Sequence, residues 1–174
     1  MRALVLGLAL VLSLSISAVQ ADDLKVGGPF MVKAITGEKK GDTLCYYCKY
    51  NGEARPAVVM IFTQKADDNF VSVVKAVDEV QKADAKLGTV VVGVSGVTAA
   101  DFDKIQTTHK LTTPLTIAED KDGPSKYNLN KDSAVTVLVY KKGNALSKTF
   151  TFKDTKAAAE KAEEIATAAK DALK

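Results

Sequence analysis

Three short apolar runs constrain this chain more than any other feature: Ala57-Val58-Val59-Met60-Ile61-Phe62, Thr89 to Ser95 (TVVVGVS) and Val135 to Tyr140 (VTVLVY). Each is rich in β-branched residues and reads as a strand buried on both faces. After the first run, Phe70, Val73, Val74, Val77, Val80 and Leu87 recur at helical spacing. Asp67 or Asp68 is placed to cap that helix and Gly88 to end it. A second helix starts at Thr98 or Asp101 and runs towards His109, with Phe102 and Ile105 inward. Pro114-Leu115-Thr116-Ile117 is a short extended piece, and Asp122-Gly123-Pro124 is a turn before a brief helical stretch to Tyr127. The third strand turns through Lys141-Lys142-Gly143-Asn144 and returns as Leu146 to Phe152, a hairpin. Asp154 or Thr155 caps a last helix rich in Ala, Lys and Glu, with Ala158, Ala162, Ile165, Ala169 and Leu173 on its inward face.

That order predicts an α/β domain. Two helical crossovers make the early strands parallel, right-handed connections place helices on both faces, and the hairpin adds antiparallel strands at the other side. The expected architecture is an open mixed sheet of about four or five strands in a three-layer α/β/α sandwich. No internal repeat and no linker divides it.

Ahead of this domain lies an export signal. Arg2 supplies the positive start, Ala3 to Leu14 is an almost unbroken apolar run, and Val19-Gln20-Ala21 offers small residues where a signal peptidase reads. Cleavage after Ala21 makes residues 1–21 a signal peptide and Asp22 the new N-terminus. The competing reading, a membrane anchor, asks for a run of roughly 18 to 20 residues, longer than this one. No cysteine follows the run for a lipid anchor, and nothing later in the chain is long and apolar enough to span a bilayer. The expected product, residues 22–174, is exported, periplasmic or secreted, with a lead-in segment over 22–55.

The formal net charge of +3, one unit of which leaves with Arg2, is too small to argue for nucleic acid or an anionic surface. The sequence holds one histidine, His109, and no tryptophan, which limits metal and acid–base chemistry. Its two cysteines form the pair Cys45-Tyr46-Tyr47-Cys48, placed just before the first core strand. Asn51-Gly52 and Pro56 follow, so the pair is expected in a loop or a single helical turn.

The strand and helix order, the Val26-Gly27-Gly28-Pro29-Phe30 lead-in, the Val58 to Phe62 strand, Pro114-Leu115 ahead of Asp120, and the Val135 to Gly143 segment together resemble the exported thioredoxin-like proteins, a group that includes thiol-disulfide oxidoreductases and peroxiredoxin-like proteins. The resemblance covers roughly residues 27–174 and implies a thioredoxin-like sandwich. It also implies a C-x-x-C at the start of the helix after the first core strand, where free N–H groups favour thiolate. Here that stretch is Thr63-Gln64-Lys65-Ala66-Asp67-Asp68-Asn69-Phe70, without sulfur, which also argues against a peroxidatic cysteine. The family's cis-proline would fall near Ser133-Ala134 and is absent.

Two functions stay open. In one, Cys45 and Cys48 are a displaced redox couple that exchanges with protein thiols or disulfides, Cys45 attacking by analogy with the first cysteine of such enzymes and Cys48 resolving. Lys49 and Arg55 would favour a thiolate there, Asp42 and Glu53 would oppose it, and Tyr46 and Tyr47 would form a contact surface for partners. In the other, the chain is a non-catalytic binding module and Cys45–Cys48 is a structural disulfide pinning the lead-in segment. No cofactor is expected. A metal site would have only half a tetrahedral ligand set, and haem attachment fails because Lys49 follows Cys48. His109 reads as a helix-end residue, and Asp67-Asp68 and Asp120/Asp122 as caps and turns.

Overall fold

The computed structural model describes residues 24–174. The signal segment expected at 1–21, and Asp22 behind its cleavage point, lie outside the described residues. Among those described, no helix is long and apolar enough to cross a membrane.

Seven strands form one mixed sheet: β1 (Val32–Ala34), β2 (Thr43–Leu44), β3 (Ala57–Thr63), β4 (Leu87–Gly93), β5 (Leu115–Ala118), β6 (Val135–Lys141) and β7 (Ala145–Phe152), in the order β2-β1-β5-β4-β3-β6-β7. β3 pairs in parallel with β4 and β4 with β5, while β6 runs antiparallel to β3 and β7 to β6. The sheet is wider than the four or five strands expected. The lead-in segment supplies the difference: β1 adds antiparallel to β5, and β2 to β1. Both are short, and the polar run from Thr36 to Asp42 separates them.

Because side chains alternate across a strand, β3 feeds two cores. Val59 and Ile61 face one, with helix α2 (Asp68–Ala83), helix α3 (Ala99–His109) and the C-terminal helices. Val58, Met60 and Phe62 face the other, with the lead-in segment, helix α1 (Tyr46–Gly52) and Tyr127 of a 3₁₀ turn over Ser125–Tyr127. The three layers are as expected, but the two crossover helices do not divide between the faces. The steps from β3 to β4 and from β4 to β5 go the same way along the sheet, so right-handed crossovers put α2 and α3 on one face. The second face is covered by α1 and its neighbours.

Caps fall where side-chain oxygens were available. Asp67 caps α2 by accepting the Phe70 N–H at 3.0 Å and ties it to the C-terminal region, since Thr155 Oγ1 donates to its other oxygen at 2.7 Å. Thr98 and Asp101 form a reciprocal capping box on α3. α2 ends earlier than expected. Asp84 leaves helical geometry, so Leu87 opens β4 rather than closing the helical stripe, and Gly88 lies inside the strand. The expected single C-terminal helix is two, α4 (Thr155–Glu160) and α5 (Ala162–Ala172), parted at Lys161, with Ala158, Ala162, Ile165 and Ala169 inward.

Candidate functional site

Cys45 and Cys48 are joined in a disulfide with their Cα atoms 5.2 Å apart. The pair sits on a helix of seven residues, longer than the single turn expected. Cys45 is its N-cap residue, in extended geometry, and its Sγ accepts the backbone N–H of Cys48 at 3.0 Å. Cys45 is half-buried and Cys48 is exposed.

The helix is held by its tyrosines. Tyr46 and Tyr50, four residues apart, both point into the second core, which removes Tyr46 from the partner surface expected of it. The Tyr50 hydroxyl donates to the carbonyl oxygen of Thr89 in β4, and its ring lies over Gly88, where a Cβ would stand 3.0 Å from the ring. Burial pushes the Tyr50 phenol far above its ordinary range, with the Tyr46 hydroxyl adding to the effect. Burial likewise pushes Tyr46 up to about 12, assisted by the charges of Glu38 and Asp42. Tyr47, half-exposed, accepts a hydrogen bond from Asn144 Nδ2 at 2.6 Å.

The two cations expected to favour a thiolate are engaged elsewhere. Lys49 Nζ lies 2.6 Å from Glu53 Oε1, and Arg55 Nε lies 2.7 Å from Glu53 Oε2. The hydrogen bond from Lys49, with that from Arg55, holds the Glu53 carboxyl below its usual range against its own desolvation. The donor hydrogen-bonded to a sulfur is the Cys48 N–H.

These contacts locate the disulfide at one end of the sheet. Gly88 pairs with Val58, and the turn carrying Asn144 follows Lys141, which pairs with Ala57, so α1 docks beside the N-terminal ends of β3 and β4. Thr63 ends β3 about 20 Å away at strand spacing. There, where the resemblance implies a redox pair, a cavity of about 50 Å³ is lined by Thr63, Ser95, Asn130 and Ser133 among others, without a sulfur atom.

The architecture matches known structures. The fold is thioredoxin-like. Peroxidoxin BcpB from Mycobacterium tuberculosis superposes with a TM-score of 0.56 at 15% identity, over 81% of this chain and 93% of its own. A DsbF homologue from Corynebacterium diphtheriae gives 0.58 at 14% identity, over 79% and 83%. A secreted disulfide oxidoreductase of Mycobacterium tuberculosis gives 0.56 at 10% identity, over 80% and 95%. No protein-family model matches the sequence, and no curated protein does.

The remaining candidates take structural places. His109 is the last residue of α3. Asp120 Oδ1 accepts the Asp122 N–H at 3.0 Å, closing a turn, and Asp122 pairs with Lys131 at 3.3 Å. Among the described residues, no group of three or more His, Cys, Asp or Glu side chains is placed to hold a metal ion. One buried acid escaped the sequence reading. Asp78 of α2 is fully buried, and its Oδ1 accepts the N–H and hydroxyl groups of both Thr112 and Thr113 at 2.6 to 2.9 Å. Its Oδ2 lies 3.0 Å from Lys82 Nζ. Desolvation is the largest single influence and raises the Asp78 pKa, but the bonds from Thr112, Lys82 and Thr113 together outweigh it and hold the carboxyl below its ordinary value. The signal was its position directly after Val77 on an otherwise apolar stripe.

Proposed function

We propose that this chain is an exported thiol-disulfide oxidoreductase whose redox couple is Cys45–Cys48, exchanging with the thiols or disulfides of other proteins. One observation carries the reading: the disulfide bridges residues within one helical turn, joins no second element, and leaves Cys48 exposed. As a staple it has little to hold. Closing a ring of that size stabilises a fold by about 2 kcal/mol at most on chain-entropy grounds. The lead-in segment is already fastened by β1, β2 and the buried tyrosines. As a redox couple it is accessible and has a hydrogen-bond donor in place for a thiolate. The thioredoxin-like fold supports the same class, although the couple stands at the other end of the sheet from the position the resemblance implies. Residues 1–21 complete the proposal as a cleaved signal peptide delivering the domain to an oxidising compartment.

The test is the reduction potential of Cys45/Cys48 in the protein beginning at Asp22, measured against glutathione buffers. The expected value lies between about −270 and −120 mV, the range of exchange proteins; one below about −300 mV marks a structural bond and defeats the proposal. Export is checked separately: the mass of the protein recovered outside the cytoplasm should correspond to an N-terminus at Asp22.

A further inference from the structure

We infer that Cys48 is the sulfur that carries the partner and Cys45 the one that resolves, the reverse of the order the resemblance implies. The inference rests on the redox reading above and assigns the roles within it. Two independent features point the same way. The first is access: Cys48 is exposed, whereas Cys45 is half-buried where β2 runs into α1. An incoming thiolate must approach the sulfur it attacks, so the open position takes the first bond. The second is the leaving group. Cys45 Sγ already accepts the Cys48 N–H at 3.0 Å, a donor that stabilises negative charge on Cys45 as the disulfide breaks. Exchange is fastest when the departing sulfur bears its charge well.

Oxidation of a partner dithiol then runs in two steps. A partner thiolate attacks Cys48 Sγ; a bond forms between the partner sulfur and Cys48, the Cys45–Cys48 bond breaks, and its electron pair stays on Cys45 as thiolate. The second partner thiolate attacks the partner sulfur of the mixed disulfide and releases Cys48 as thiolate. The partner leaves as a disulfide, two electrons remain on the cysteine pair, and the partner's two thiol protons pass to solvent or to the new thiolates. The reverse sequence reduces a partner disulfide: Cys48 attacks it and Cys45 resolves the mixed disulfide.

The test adds reduced glutathione to the oxidised protein, quenches with acid, and locates the mixed disulfide by fragment mass. The adduct is expected on Cys48, roughly tenfold or more over Cys45. Equal amounts, or an adduct chiefly on Cys45, overturn the assignment. If no adduct forms while the protein has a potential in the exchange range, only the assignment falls. If none forms and that potential lies below about −300 mV, the redox reading falls with it.

Discussion

Tyr47, one of the two residues between the cysteines, accepts a 2.6 Å hydrogen bond from Asn144 Nδ2 at the tip of the β6–β7 hairpin, 97 residues away. Gly143 and Asn144 both have positive φ, at 83° and 66°. Asparagine is among the few non-glycine residues that tolerate that conformation. The same asparagine then reaches the cysteine segment, so the turn residue both shapes the hairpin and anchors the disulfide.

Tyr47→Phe removes the acceptor and is expected to cost about 1 kcal/mol in urea unfolding. Asn144→Gly keeps the turn geometry and removes the donor, at a similar cost. In a double-mutant cycle the two should share a coupling of about 1 kcal/mol. Additive losses would show that the bond contributes nothing.

Gly88→Val should displace the Tyr50 ring, because a Cβ at 88 already meets it at 3.0 Å. We expect a loss of about 2 kcal/mol, in the range for overpacked cores. Faster amide exchange in α1 than in α2 would mark the damage as local. Unchanged protection in α1 would count against Tyr50 as its anchor.

Asp78→Ala leaves the N–H and hydroxyl groups of Thr112 and Thr113 without their carboxylate, two of them on the buried Thr113. The expected loss at pH 7 is about 3 kcal/mol. Asp78 has a depressed pKa in the fold, so its stabilisation is fully present above the unfolded carboxyl value, near about 3.9, and fades as pH falls through the lower folded value. The gap between the parent protein and Asp78→Ala should therefore narrow in acid. A gap independent of pH would mean that charge is not what Asp78 supplies.

Reducing Cys45–Cys48 without replacing either cysteine should leave the domain folded, with a stability change of about 2 kcal/mol or less. Matched thermal scans with and without reductant measure it. Loss of the second core on reduction would return the bridge to a structural role.

Much of this fold was legible in the residues. The runs at 57–62, 89–95 and 135–140 identified the central strands, and Thr98, Asp67 and Asp154 are caps in the structure. Errors fell where one residue suits two elements. Leu87 continues the spacing set by Val80, yet it equally opens a buried strand, and the chain leaves helical geometry at Asp84 before reaching it. Asp78 interrupts the apolar stripe of α2, but its partners at 112 and 113 are brought in by the sheet rather than by the helix that holds it.

For the site the division is sharper. The sequence alone determined that the cysteine pair is Cys45 and Cys48, that it precedes the central strand, and that no sulfur occupies the stretch after Thr63, because these are facts of order and spacing. Only the tertiary structure decided that α1 docks at the N-terminal ends of β3 and β4, that Glu53 takes up both Lys49 and Arg55, and that Cys48 rather than Cys45 is exposed. Periodicity and capping act over a few residues and can be read along the chain. The orientation of α1 depends on Tyr50 meeting Thr89 and Tyr47 meeting Asn144, contacts 39 and 97 residues apart that arise only when the sheet assembles.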